Sequence, residues 1–440
     1  MSLVEGQQVE LVIEKAASGG RMIARHHGQV VLVRGAVPGE RVLAWIERAE
    51  KRLAYAVTRD VLDASADRRT GADDPLCGGA LYTHIHYPRQ LAIKSEVIRD
   101  AFARLGRYPL EDPVEVAASP EEAYRMRARF HVHSGRAGFY REGTHQLCDA
   151  TATRQLRPDT ASAVAAVAAA LHQAAPGAAA SIAVAENLPG NERAAHVETA
   201  PDARLTLAML ERAAADANLR GLSARDLRTG QPLVAGLPIV SDTLQDVTAG
   251  RVPAGTLQRH AESFFQANRY LLPGLVTAVL DAVPGDGEVV DLYAGVGLFS
   301  VALAAAGRLR VTAVEGDRAS GADLRENARP HAPRLDARVA RVEDYLASCA
   351  ASPATLIVDP PRTGVSKDAG AMIVRMAPAR IVYVSCDPPT LARDARRFID
   401  AGYRLESLRA FDLFPNTPHV EALAVFTRAA AARPRPPRTP

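Results

Sequence analysis

The sequence predicts an α/β protein whose C-terminal part is a doubly wound parallel sheet, preceded by an N-terminal β-barrel and a mixed α+β central segment. With 440 residues, the chain is too long for one ordinary domain, and about three domains of roughly 100–200 residues fit. Beyond Arg259, apolar strands alternate with helical stretches, the pattern of a doubly wound sheet. We expect the divisions 1–62, 63–255 and 256–428, followed by a disordered tail at 429–440 that is rich in Ala, Arg and Pro.

The first sixty residues consist of short β-rich runs separated by turn signals, which predicts a small closed barrel. The runs lie at 8–13, 29–33, 40–46 and 53–57. Basic residues are frequent in the intervening loops. An oligonucleotide-binding barrel and a generic five-stranded barrel with solvated charges both explain this pattern.

The central segment combines a helical stretch at 87–106 with an alternating strand at 124–133. Arg125, Arg127 and Arg129 share one face of that strand, where they suit phosphate groups, although a solvated face is the commoner explanation. Two His-x-His pairs lie at 84–86 and 131–133, without a cysteine or carboxylate at a recognisable interval. We therefore assign no metal site.

Bulk properties limit the environment of the protein. The net charge of +3, from 53 basic and 50 acidic side chains, does not by itself indicate a nucleic-acid partner, although a pI near 8.7 permits one. The four cysteines have no CxxC spacing, the N-terminus lacks a signal pattern, and no apolar run is long enough to span a membrane. We expect a cytoplasmic protein without membrane contact, whose cysteines are single thiols.

Polar side chains and glycines follow several predicted strands, at the sheet edge where open α/β sheets bind ligands. The segment 291–297 reads Asp-Leu-Tyr-Ala-Gly-Val-Gly, so the backbone at Gly295 allows close approach of a ligand. Glu315 ends the next strand, where it can accept the hydroxyls of a ribose. Asp359 follows the apolar run 355–358 and is held by two prolines. Together they indicate a nucleoside ligand with a charged or polar tail, such as S-adenosylmethionine.

Cys386 follows another apolar strand and precedes Asp387-Pro388-Pro389 on the same sheet edge. A buried, inert thiol is the usual role of a single cysteine. Beside a methyl donor, however, a thiolate can add to C6 of uracil and make C5 nucleophilic, after which a base must remove the C5 proton. Glu421 is the candidate base and His419 the lesser one, although a solvated glutamate at a strand start is the alternative.

Five segments in order resemble the RNA uracil-C5 methyltransferase family over nearly the full chain. They are Phe-Phe-Gln-Ala-Asn at 264–268, the 291–297 segment, Asp-Pro-Pro-Arg-Thr-Gly at 359–364, Ser-Cys-Asp-Pro at 385–388 and Pro-Asn-Thr-Pro-His-Val-Glu at 415–421. The resemblance implies a class I methyltransferase domain and an RNA-binding TRAM barrel in the first sixty residues. It also implies contacts with S-adenosylmethionine from Gln266, Tyr293, Glu315 and Asp359, with Cys386 as nucleophile and Glu421 as base.

The chain departs from the family pattern in two places. Leu298 stands where an asparagine often follows the glycines, so the resemblance does not extend to one polar cofactor contact. The iron–sulfur motif of many ribosomal-branch members retains Cys77 alone, with other residues at the remaining three positions: Gly71, Ala80 and Thr153. Because a cubane cluster needs about four thiolates, we expect no cluster. Ordinary packing of Leu76, Leu81 and Tyr82 would then hold the stretch 64–86.

The resemblance leaves the RNA and the activity open to alternatives. The barrel and large insertion favour the ribosomal branch over the transfer-RNA branch. An amino-group methyltransferase would have no use for Cys386 or Glu421, and a catalytically silent RNA-binding factor would not need to retain them. We expect a monomer.

Overall fold

The N-terminal strands close into a five-stranded barrel. The structure is a computed structural model that describes residues 3–225, 230–307, 310–349 and 352–428, so the predicted tail at 429–440 lies outside the described residues. The strands are β1 (Gln8–Ala16), β2 (Met22–His26), β3 (Gln29–Arg34), β4 (Arg41–Ala49) and β5 (Leu53–Asp63), in the barrel order β1-β2-β3-β5-β4. Alternate residues of β1 and β3 are buried, as a barrel with a filled interior requires. This confirms the predicted barrel, to which the structure adds β2.

A helix and a short strand follow the barrel but pack with the C-terminal part of the chain. Helix α1 (Tyr87–Ala101) continues as a π-helical turn at Phe102–Gly106, and β6 (Val116–Ala117) pairs in parallel with a strand at Tyr403–Phe411. Ile98 and Phe102 lie in the same apolar core as residues of the C-terminal sheet. The predicted central segment 63–255 therefore contributes to the C-terminal sheet as well as forming its own.

The central part of the chain is a seven-stranded sheet with two helices on one face. Its strands follow the order β13-β12-β11-β10-β7-β8-β9. They are β7 (Arg127–His133), β8 (Arg136–Tyr140), β9 (Leu147–Cys148), β10 (Ala179–Glu186), β11 (Arg193–Thr199), β12 (Gly221–Arg225) and β13 (Pro232–Gly236). The helices α2 (Pro158–Ala174) and α3 (Leu207–Asp216) cover the core, and α4 (Leu244–Val247) lies between β14 (Ile239–Thr243) and β15 (Thr256–His260).

The C-terminal part is a doubly wound sheet of the predicted kind. Its order is β18-β17-β16-β19-β20-β22-β21-β6, parallel from β18 to β20. The strands are β16 (Glu288–Leu292), β17 (Arg310–Glu315), β18 (Leu335–Val339), β19 (Thr355–Val358), β20 (Arg380–Ser385), β21 (Tyr403–Phe411) and β22 (Glu421–Arg428). The helices are α5 (Leu272–Ala282), α6 (Leu298–Ala305), α7 (Arg318–Ala328), α8 (Val342–Ser348), α9 (Lys367–Met376) and α10 (Pro388–Asp400).

Two of the four cysteines are joined, which shows that the prediction of single thiols was wrong for Cys77 and Cys148. The backbone of Cys77 pairs with that of Arg141 in an isolated β-bridge, and Cys148 lies in the β8–β9 hairpin. The Cα atoms of Cys77 and Cys148 are therefore 5.6 Å apart, and a disulfide links the two residues. The stretch 64–86 is therefore held by a covalent bond as well as by the buried Tyr82. Ordinary packing was an incomplete explanation.

Within the described ranges, no helix has both the length and the apolar composition needed to cross a membrane.

Candidate active site

The carboxyl edge of the parallel sheet gathers the predicted cofactor residues. Strands β16, β17 and β19 are paired neighbours, so the residues at their carboxyl ends lie side by side. Both oxygens of the Glu315 carboxylate accept backbone hydrogen bonds, from the N–H of Gly295 at 2.7 Å and of Asp317 at 2.6 Å. Tyr293 adopts a left-handed φ of 62°, and the tight turn brings Gly295 beneath Glu315. The turn thereby holds Glu315 in one orientation.

Gln266 comes to the same edge from the segment before α5. Its Nε2 donates a hydrogen bond of 3.3 Å to Oδ2 of Asp359, which follows β19. Leu298, where the family often has asparagine, is buried among apolar residues at the start of α6.

Asp291 is a further acidic residue of this cleft and was not among the predicted cofactor residues. Its side chain is fully buried, and one carboxylate oxygen accepts a hydrogen bond from Ser300. The other oxygen, Oδ1, has no hydrogen-bond partner. A buried oxygen without a partner is costly unless a bound group satisfies it. The sequence signal that could have identified Asp291 is its place as the acidic first residue of the 291–297 segment.

The three carboxyl groups make the cleft electronegative. Burial raises the pKa of Asp291 to about 7, and burial together with the charge of Asp291 raises the pKa of Asp359 to about 7. Burial also raises the pKa of Glu315. Among the described residues, no cationic side chain lowers any of these three pKa values. A cationic ligand would supply the missing compensation.

Cys386 and Glu421 lie on adjacent strand ends. Strands β20 and β22 are antiparallel, with Ser385 opposite Ala422. The next position in the same register therefore places Cys386 opposite Glu421. Directly opposed residues of antiparallel strands have Cα atoms about 4.5–5.5 Å apart. Two residues separated by 35 positions in sequence are thus neighbours beside the cofactor cleft.

Burial and neighbouring carboxylates oppose ionisation of this pair. Burial, followed by the charges of Glu421 and Asp359, raises the pKa of the Cys386 thiol to about 12. Burial and then Asp359 raise the pKa of Glu421 well above its usual value. The exposed Arg362 acts in the opposite direction on both groups, because its positive charge favours their ionised forms.

His419 has the opposite electrostatic environment. Burial, followed by the charge of Arg362, lowers its pKa to about 4. It is therefore a neutral and weak base at pH 7, whereas burial makes the Glu421 carboxylate a stronger one. The difference in basicity favours Glu421 over His419 as the base.

The loop that carries Glu421, residues 412–421, is held at Asn416 by residues from before the central sheet. Asn416 has a left-handed φ of 64°. Its side-chain oxygen accepts hydrogen bonds from Gln90 at 2.9 Å and Arg69 at 2.8 Å. Its backbone N–H donates to Gln90 at 3.0 Å, and its carbonyl accepts from Tyr82 at 2.8 Å. This satisfied network fixes the loop.

Other parts of the chain hold the same loop. The ammonium of Lys94 on α1 forms a buried ion pair with Asp412. The barrel reaches the loop at Gly20, where a Cβ atom would lie 2.9 Å from Pro418. Because Gly20 also has a φ of 97°, a larger residue there would disturb the contact.

The donor set does not fit an iron–sulfur cluster. Cys77 is bonded to Cys148, and the other three positions of the family motif are occupied by Gly71, Ala80 and Thr153, which offer no thiolate. In the parts of the chain that the structure describes, no group of three or more His, Cys, Asp or Glu residues is placed to hold a metal ion.

Comparisons with known proteins agree with this arrangement. The TRAM domain model matches residues 3–57, and the tRNA (Uracil-5-)-methyltransferase model matches residues 337–429. An uncharacterized RNA methyltransferase of Streptomyces coelicolor is 32% identical over 98% of this chain and 94% of its own. A 23S rRNA (uracil(1939)-C(5))-methyltransferase of Halomonas elongata is 32% identical over 98% of this chain and 91% of its own.

A solved structure shares the whole fold. It is a Pyrococcus abyssi tRNA (uracil-54, C5)-methyltransferase in complex with S-adenosyl-L-homocysteine, with a TM-score of 0.74, 24% identity and coverage of 95% of this chain and 99% of that one. With a TRAM barrel followed by a doubly wound sheet that matches a tRNA (Uracil-5-)-methyltransferase model, the chain is an RNA methyltransferase. The chain belongs to the RNA uracil-C5 methyltransferase family, and its reaction is S-adenosylmethionine-dependent methylation of uracil C5 in RNA. This confirms the resemblance and the fold predicted from the sequence.

Proposed function

We propose that the protein methylates a uridine of ribosomal RNA, with Cys386 as the nucleophile and Glu421 as the base. The observation that supports these roles is the pairing of β20 with β22, which places the thiol and the carboxylate on neighbouring strand ends beside the cofactor cleft. An amino-group methyltransferase would not need this pair, and neither would a silent RNA-binding factor.

The residues of the acidic cleft fit S-adenosylmethionine. Gln266, Tyr293, Gly295, Glu315 and Asp359 would hold it, as the sequence predicts. Asp291 joins them, because a bound cationic group would satisfy its unpartnered buried oxygen. When bound, this cofactor supplies an electrophilic methyl group on a positively charged sulfur. Carboxylates around it suit both that charge and the ammonium group of the amino acid tail.

Cys386 would open the reaction by adding its sulfur to C6 of the target uracil. The S–H proton passes to water as the C6–S bond forms, and the raised pKa of the thiol makes that loss difficult in the free enzyme. Among the described residues, Arg362 supplies the positive charge that favours the thiolate form of Cys386. Addition moves electron density to C5 and O4, which makes C5 nucleophilic.

Glu421 would close the reaction by removing the C5 proton. Once C5 carries the methyl group, Glu421 takes this proton in its ionised form, which the charge of Arg362 favours. The C5–C6 double bond then re-forms and the C6–S bond breaks. Cys386 leaves with the bonding electron pair and is ready for another cycle. The raised pKa of Glu421 makes its carboxylate a stronger base than an exposed glutamate.

Ribosomal RNA is the substrate we favour because full-length relatives at 32% identity carry that substrate in their names. Transfer RNA is the second candidate, since the matching family model and the solved structure with the same fold are named for it. The cytoplasmic location and the monomeric state remain predictions.

One set of variants tests the chemistry. Cys386→Ala is expected to abolish methylation and form no covalent adduct. Glu421→Gln is expected to accumulate a protein–RNA adduct that survives a denaturing gel, because loss of the base stalls the reaction after addition. The exposed Glu406, changed to Gln, is the matched control and should turn over normally. Normal turnover by Glu421→Gln would refute its role as base.

The same assay separates the two RNA substrates. Unmodified large-subunit ribosomal RNA and transfer-RNA transcripts are incubated with radiolabelled S-adenosylmethionine, and 5-methyluridine is quantified after digestion. We expect label in ribosomal RNA. Label confined to transfer RNA would identify the second candidate as the substrate.

A further inference from the structure

A cavity of about 430 Å³ lies in the central domain, at the end of β7 and outside the catalytic edge. Its lining contains three histidines, an arginine and a tyrosine. The polar side chains that matter here are Arg129, His131, His133, Tyr140, His172 and Ser181. The catalytic mechanism uses none of them.

The rings at the cavity form an ordered group. His131 and Tyr140 stack with centroids 3.6 Å apart and planes 7° from parallel. His133 and His145 approach the Tyr140 ring edge-on, at 5.9 Å and 5.3 Å, and both are exposed. Stacked and exposed rings of this kind give flat surfaces for a nucleobase.

Arg129 adds positive charge beside the rings. Its guanidinium is 2.7 Å from Glu198 and its side chain is 48% exposed, so it remains open to a second partner. Burial, His133 and Arg129 lower the pKa of His131. The His131 ring is therefore mainly neutral at pH 7, which suits stacking, while Arg129 suits a phosphate.

Strand β7 links the cavity to the segment that carries Gln266. Alternate residues of a strand share one face, so Arg127, Arg129, His131 and His133 form a row. The guanidinium of Arg127 lies 5.4 Å from the ring centroid of Phe264, which is 58% exposed and precedes the cofactor segment. From Arg127 to His131 the row extends about 13 Å at 3.3 Å per residue.

We propose that this cavity binds an unpaired nucleotide of the substrate RNA, on the strand that leads away from the target uridine. The base stacks in the aromatic group and Arg129 contacts the adjoining phosphate. This inference rests on the proposed function, because it takes the substrate to be RNA. A metal ion is a poorer occupant, since none of the described residues form a group of three or more His, Cys, Asp or Glu side chains placed to hold one.

Binding here would assist the chemistry from a distance. A uracil in folded RNA must leave its stack before Cys386 can reach C6. A second, unpaired nucleotide held along β7 keeps the neighbouring strand from refolding over the target. The site should therefore govern affinity for RNA and leave the chemical step unchanged.

The test compares the double variant His131→Ala/Tyr140→Ala with wild type and with His331→Ala, a histidine substitution outside the central domain. From the usual value of a base–aromatic contact, the KM for the RNA that the wild type methylates should rise roughly 5- to 150-fold. The kcat and the affinity for S-adenosylmethionine should stay within about twofold of the wild-type values. The melting temperature should stay within a few degrees of the wild-type value. The single variant Tyr140→Phe, which keeps the aromatic ring, should have the KM of the wild type.

Unchanged KM in the folded double variant would overturn the proposal. If that variant does not fold, the exposed pair Arg129→Ala/His133→Ala decides, and an unchanged KM there overturns it equally. Crosslinking with 4-thiouridine-substituted RNA gives an independent readout: crosslinks within 129–140 support the site, and crosslinks confined to the barrel contradict it. Failure of the proposed function itself is distinguishable, because wild type would then methylate neither RNA.

Discussion

Cofactor affinity is expected to depend strongly on pH, because the cleft binds a cation through carboxyl groups that titrate near neutrality. Asp291 and Asp359 both have a pKa of about 7. A group with this pKa is about 76% ionised at pH 7.5 and about 3% ionised at pH 5.5, a ratio of about 25. If one carboxylate must be ionised for binding, the Kd for S-adenosylmethionine should rise about 25-fold when the pH is lowered from 7.5 to 5.5.

Calorimetry of the RNA-free enzyme measures this directly. The amino group of the ligand has a pKa of about 7.7–8.0, so it stays mainly protonated over the range and adds little to the slope. Asp291→Asn removes one titrating group, and this variant should bind more weakly at pH 7.5 with a flatter profile. A Kd that is constant from pH 5.5 to 7.5 would refute the electrostatic account of the cleft.

The same raised pKa values predict how folding stability responds to pH. A buried carboxyl group whose folded pKa is about 7, against 3.8 ordinarily, binds its proton more tightly in the folded state. Its contribution to stability is therefore present below about pH 4 and is lost as pH rises through 7. Asp291→Asn should raise the melting temperature of the RNA-free and cofactor-free protein at pH 8, although it weakens cofactor binding. A lower melting temperature would contradict this sign.

Three further predictions concern contacts that hold the site. Lys94→Met leaves a buried carboxylate unpaired and should cost about 3–5 kcal/mol of unfolding free energy in urea, whereas the exposed Lys15→Met should cost less than about 1 kcal/mol. Thiol titration of the unreduced, denatured protein should find two of the four cysteines, and replacing Cys77 and Cys148 by serine should destabilise the protein by about 4 kcal/mol; four titrated thiols would refute the disulfide. Gly20→Ala should lower kcat through the base-carrying loop and leave cofactor affinity unchanged; an unchanged kcat would show that this contact is dispensable.

Strand ends were the most predictable part of the site. Apolar runs that stop at glycine or proline, as before Tyr293 and Asp359, mark a buried strand and its loop without reference to the rest of the chain. Strand β21, which lies between β22 and the short β6, escaped prediction because its burial follows no regular alternation. Local pattern is informative only where burial is regular.

Long-range pairing was beyond such reasoning. The sequence assigned roles to Cys386 and Glu421, but their adjacency depends on the register of β20 against β22. The disulfide likewise joins residues separated by 71 positions, through a hairpin whose register cannot be read from spacing. Asp291 was missed because its unpartnered oxygen is a property of burial.

The loop at 412–421 has a consequence for engineering. Its anchors come from the barrel, from α1 and from the residues before the central sheet, so only a segment that reaches from Gly20 to Glu421 contains all of these supports. An isolated fragment 256–428 would keep the strands that form the cofactor cleft but would lose the supports of its proposed base. Fusing that fragment to another RNA-binding module should therefore not transfer methylation to a new RNA. New specificity has to be built by changing surfaces within the intact chain.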